Sequence, residues 1–116
     1  MKNMFIFFGL MLFAANAFAQ STVAGSWSKQ DGSVITTWLF QDGFYSCTKY
    51  DVTNKVFSYT KGGTYVVAGN ELQMKLAFHT AEKEKVGTTE TALVVVKDQT
   101  MKLTVNGAEE NYKRMD

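Results

Sequence analysis

The sequence predicts an all-β fold, a small antiparallel up-and-down barrel of about eight strands, and three observations lead there. Beyond residue 19 the chain is a succession of short β-prone runs. Turn dipeptides separate them: Asp31-Gly32, Asp42-Gly43, Gly69-Asn70, Asp98-Gln99 and Asn106-Gly107. No run beyond residue 19 carries a helical apolar period over ten residues. Asp-Gly and Asn-Gly between alternating runs signal two-residue hairpins, because both central residues of a type I′ turn need positive φ. Strands joined by tight hairpins are antiparallel neighbours. A meander of this many short strands exposes its edges unless it closes, and eight strands close around side chains or one small ligand.

Residues 1–19 read as a cleavable export signal. Lys2 precedes the apolar run Met4 to Ala15, and Ala17-x-Ala19 is the small-residue pair that a signal peptidase reads. The run is too short for a transmembrane helix, which needs roughly 20 apolar residues. Cleavage after Ala19 leaves residues 20–116 as one domain. The expected destination is the periplasm or the medium of a bacterial cell. No membrane span is expected after cleavage.

The first run is Val23 to Lys29, the second Ser33 to Gln41, the third Phe44 to Asp51. Lys55 to Lys61 and Thr64 to Ala68 flank Gly62-Gly63, which is either a turn or a kink in one bent strand. Glu71 to His79 follows, then the charged run Glu82-Lys83-Glu84-Lys85, which fits a solvated hairpin tip. Val86 to Lys97, Thr100 to Val105 and Glu109 to Met115 complete the series.

Alternation assigns an inside. Leu72, Met74, Leu76 and Phe78 alternate with polar neighbours and Ala77, as do Met101, Leu103 and Val105. Val34, Thr36, Trp38 and Phe40 share one face, with Ile35 and Leu39 on the other. Leu93-Val94-Val95-Val96 is apolar on both faces, and Ile35, Leu39, Val94 and Val96 are candidates for an outward apolar patch.

Charge excludes some functions. Lys2 accounts for the one basic residue in excess, so residues 20–116 carry eleven basic and eleven acidic side chains. That balance does not favour nucleic acid. One Cys, Cys47, cannot form an internal disulfide; it is a buried small hydrophobe or an intermolecular link. His79 is the only His, and alternation puts it on the polar face, so no catalytic pair or metal set assembles around it. The chain reads as a non-enzyme without a cofactor or metal.

Gly25-Ser26-Trp27 opens the first run and Tyr112-Lys113-Arg114 closes the last. This pattern resembles that of lipocalins and other calycins, with an early Gly-x-Trp and an Arg on the terminal strand. The resemblance implies that Arg114 packs over Trp27 as a plug at the closed end. Gly63-Thr64-Tyr65-Val66-Val67-Ala68-Gly69-Asn70-Glu71-Leu72 is similar to a stretch of small bacterial lipocalin-like domains. Gly25 to Ser33 is also similar to the first hairpin of avidin-type barrels. With only Trp27 and Trp38 present, the several Trp residues that wall biotin in those proteins are missing.

Two functions follow. The first is a binding module for a small apolar or aromatic ligand, contacted by Trp38, Phe40, Tyr59, Tyr65 and Phe78, unless those residues simply fill the core. The second is a protein-interaction module, such as an inhibitor of a secreted enzyme or an envelope accessory protein, using its N-terminal residues Gln20-Ser21-Thr22 or an outward apolar patch.

Overall fold

The computed structural model describes residues 23–116. The export signal with its cleavage point, and Gln20-Ser21-Thr22, lie outside them. The described residues form eight antiparallel strands in sequence order: β1 Gly25–Asp31, β2 Val34–Gln41, β3 Phe44–Asp51, β4 Val56–Ala68, β5 Glu71–His79, β6 Thr89–Lys97, β7 Thr100–Val105 and β8 Ala108–Arg114. β8 returns to β1 through the pairs Trp27↔Arg114 and Ser28↔Lys113, which closes the barrel. One turn of 3-10 helix, Lys83–Lys85, covers the β5–β6 connection. No helix among the described residues is long and apolar enough to cross a membrane.

Local chemistry explains the hairpins. Asp42 and Gly43 have φ of 52° and 83°, Asn106 and Gly107 52° and 80°, the left-handed pair that a type I′ turn requires. All the connections β1–β2, β3–β4, β5–β6 and β7–β8 lie at one end of the barrel, called here the top. Both described termini and the other three connections lie at the bottom.

Gly62-Gly63 lies inside one continuous strand, opposite a bulge in β5. The β4–β5 register runs Lys61↔His79, Gly62↔Phe78, then Gly63↔Leu76, so Ala77 is an extra residue. A Cβ on Gly63 would collide with the Lys75 carbonyl, which is why glycine stands there. The bulge reverses the alternation of β5 beyond Leu76. Phe78, expected inside, points outward at 45% exposure and lays its ring over Gly62. His79, expected on the surface, turns inward and is only 8% exposed.

The core follows the remaining alternation. Trp27, Phe40, Cys47, Leu72 and Met101 have no accessible surface, and Trp38, Tyr45, Tyr65, Val67, Met74, Leu103 and Tyr112 are buried with them. On β6 the parity is opposite to the outward patch expected of Val94 and Val96. Val94 is buried and Val96 packs against the core, while Leu93 and Val95 are exposed. The continuous apolar run gave no contrast from which to choose a face; pairing with β7 decides it.

Candidate functional site

The two ends of the barrel are built differently. At the bottom the Arg114 guanidinium lies 4.1 Å from the Trp27 ring centroid and donates to the Ala24 carbonyl at 3.1 Å. Trp27 Nε1 donates to the Val23 carbonyl at 2.8 Å. Every polar atom of the indole is therefore satisfied, and a cation sits on its face.

Above the plug an aromatic layer crosses the barrel. Trp38 stacks on Phe40 at 5.7 Å with an interplanar angle of 3°, and Phe40 meets the edge of Tyr65 at 5.1 Å. Tyr45 packs against both Trp38 and Phe40, and Tyr112 stands edge-on to Trp38 at 6.4 Å. Of the five residues expected to line a ligand cavity, Phe40 and Tyr65 are thus occupied by their neighbours. Trp38 forms the upper boundary of this layer, Tyr59 stands above it, and Phe78 is outside the barrel.

The top is polar. Register places Lys29, Thr36, Lys49 and Tyr59 in one inward row, and Trp38, Cys47, Lys61 and His79 in the next. The Lys61 ammonium lies 5.5 Å from the Trp38 centroid and 5.7 Å from that of Tyr59; the Lys49 ammonium approaches Tyr59 at 5.8 Å. His79 stacks on Tyr59 at 4.9 Å. Its Nδ1 accepts the backbone N–H groups of Ala81 and Glu82 at 3.1 and 2.8 Å, which assigns the ring proton to Nε2, 3.8 Å from Glu82 Oε2.

Lys29 bridges Asp31 at 2.9 Å and Glu110 at 3.1 Å, and the Tyr112 hydroxyl donates to Glu110 at 2.6 Å. The Tyr112 and Lys29 contacts hold the Glu110 carboxyl below the ordinary glutamate range. Burial pushes the Cys47 thiol up to about 11, against the pull of Lys61 and Lys49, and pushes Tyr59, beside that thiol, up to about 12.

One polar atom in this region is left over. Thr36 Oγ1 is buried without a hydrogen-bond partner among the described residues, on a side chain 4% exposed, whereas the Trp38 indole N–H interacts with the Tyr112 hydroxyl beside it. A buried, unpartnered polar group costs about 1–3 kcal/mol, so this hydroxyl sets the top apart from the bottom.

A cleft opens where β5 and β6 separate. Their pairing stops at Lys75↔Thr89, and beyond it β5 follows β4. The cleft has a volume of about 80 Å³ and is lined by Tyr45, Lys61, Met74, Leu76, His79 and Glu90, with Glu82, Lys85 and Thr88 from the covering segment. Among the described residues no group of three or more His, Cys, Asp or Glu side chains is arranged to hold a metal ion.

Thr36, Lys49, Lys61 and His79 were not expected as site residues. For the lysines the signal existed. Lys49 is two residues from Cys47 and Lys61 two from Tyr59, so a buried Cys47 and an inward Tyr59 bring both lysines inside.

No family model and no curated protein matches the chain. Its fold is similar to the crystal structure of an uncharacterized protein from Bacteroides eggerthii, with a TM-score of 0.55 at 13% identity over 79% of this chain and 98% of that one. At that identity the likeness concerns the fold alone.

Proposed function

We propose that the chain is an exported, lipocalin-like, non-enzymatic binding module that takes a small apolar or aromatic ligand at the top of its barrel. One observation carries the reading: the Thr36 hydroxyl is buried without a partner among the described residues, in the inward row it shares with Lys49 and Tyr59. Small-molecule sites combine apolar walls with a few polar groups that orient the ligand. The barrel fold, the Trp27–Arg114 plug and the sequence resemblance support the lipocalin-like assignment. The export signal rests on residues 1–19, and N-terminal sequencing of the exported protein should begin at Gln20.

A binder accounts for the site better than an enzyme does. Burial keeps the Cys47 thiol protonated at neutral pH, and His79 Nδ1 is already engaged by two backbone donors. The test is native mass spectrometry of the protein recovered from its own cell envelope, with tryptophan emission followed on delipidation. A bound small molecule, and a change in emission when it is removed, are the expected results. Protein recovered bare, with emission indifferent to extraction and to added aromatic compounds, refutes the reading.

The outer wall supports a second reading. Leu39, Phe44, Phe57 and Phe78 are exposed on β2 to β5, with Tyr50 and Phe57 in ring contact at 4.6 Å. A protein-interaction module would dock there, and the same spectrum would show a protein complex instead of a ligand.

A further inference from the structure

We infer that the ligand of this mouth is a small organic anion whose charged head is neutralised by Lys49 and Lys61; this rests on the binding-module reading above. The argument starts from charge. Lys29 is compensated by Asp31 and Glu110, and Lys85 by Glu82 at 2.9 Å. Lys49 and Lys61 have no ion pair among the described residues, yet both face inward and both ammonium groups approach the single ring of Tyr59. Two like charges on one ring repel each other, and carboxylates reach them only at longer range, Glu110 toward Lys49 and Glu82 toward Lys61. Glu110 is engaged by Lys29 and Tyr112, Glu82 by Lys85, and Glu90, on the β6 wall of the cleft, pairs with neither lysine. A ligand anion removes the repulsion.

Hydrogen bonding points the same way. A lysine ammonium offers three donors and no acceptor, and the unpartnered Thr36 hydroxyl can donate. The ligand must therefore bring acceptors, and a carboxylate or phosphate monoester brings several on one charged group. Volume limits how much of it enters. The cleft beside Lys61 has a volume of only about 80 Å³ and is not lined by Lys49 or Tyr59. A small anionic head fits beside Lys61, and an aromatic or alkyl body stays outside the cleft.

Titration calorimetry of the purified protein at low salt, with benzoate, phenyl phosphate and benzyl alcohol as probes, tests this. An anionic probe should bind at least tenfold more tightly than benzyl alcohol, and high salt should erase the difference. Preference for benzoate assigns a carboxylate ligand, and preference for phenyl phosphate a phosphate monoester. Lys49→Met and Lys61→Met should each weaken the anion about tenfold, as expected for a lost charge-assisted hydrogen bond, and leave benzyl alcohol unchanged. Thr36→Val removes a buried, unpartnered hydroxyl and should raise the melting temperature while weakening the anionic probe, which a purely structural role for Thr36 does not predict. Benzyl alcohol binding as well as benzoate overturns the anion and leaves the binding module standing. Failure of every probe to bind or to alter tryptophan emission overturns both.

Discussion

The bottom and the top of this barrel are made from the same eight strands, and they treat buried polar groups and charges in different ways. Trp27 at the bottom has its N–H bonded to Val23 and its face covered by Arg114. Toward the top, the inward Thr36 hydroxyl has no partner among the described residues, and Lys49 and Lys61 reach Glu110 and Glu82 only at longer range, with no ion pair among the described residues. The bottom is complete as it stands, and its contacts stabilise the fold. The top keeps one buried hydroxyl without a partner among the described residues and two lysines without an ion pair there, so it contributes less to stability than the bottom.

Substitutions at the two ends sharpen the contrast. The largest effect is expected for Trp27→Ala, which removes a fully buried indole, its hydrogen bond and the surface under Arg114. It should cost about 3–5 kcal/mol in urea unfolding without altering ligand binding at the top. Stability close to that of the wild type would mean that Trp27 is no plug. Gly63→Ala comes next, at about 1–3 kcal/mol, because the added methyl meets the Lys75 carbonyl and forces the bulge to shift. Tryptophan fluorescence and urea midpoints measure it, and an unchanged midpoint would show that the bulge relaxes freely.

Arg114→Met keeps most of the side chain's bulk and loses its charge over the indole, for about 0.5–2 kcal/mol. The smallest effect is at the top. The Glu110 carboxyl is depressed chiefly by the Tyr112 hydrogen bond and then by Lys29. Its stabilising contribution is complete above the ordinary glutamate value of about 4.3 and disappears as the pH falls through its lower folded value. Urea midpoints of the wild type should drop between pH 5 and 3 by slightly more than those of Glu110→Gln. The side chain is half exposed, so the difference is small. An equal drop in both proteins would remove Glu110 from the account.

Legibility from the sequence differed by level. Asp42-Gly43 and Asn106-Gly107 placed two hairpins because left-handed backbone is a property of the residues themselves. The inward set Thr36, Trp38, Phe40 and Leu72, Met74, Leu76 followed from an alternation that needs no tertiary knowledge. Trp27 and Arg114 were named from a resemblance, and the structure puts them 4.1 Å apart. Phe78 and His79 were assigned to the wrong faces because one extra residue inverts a period of two. Val94 and Val96 were assigned outward from a run with no polar contrast to orient it.

By itself the sequence determined the order of strands and turns, the antiparallel meander and most of the inward apolar residues. Each of these is written in neighbours two to four positions apart. Only the tertiary structure decided which charges are compensated, which buried donors lack acceptors and where β5 leaves β6. Those depend on distances across the barrel between residues far apart in the chain. The bulge at Ala77, opposite Gly62-Gly63, lies between the two cases: the glycines are visible in the sequence, but the pairing with β5 that turns His79 inward and Phe78 outward exists only in the folded sheet.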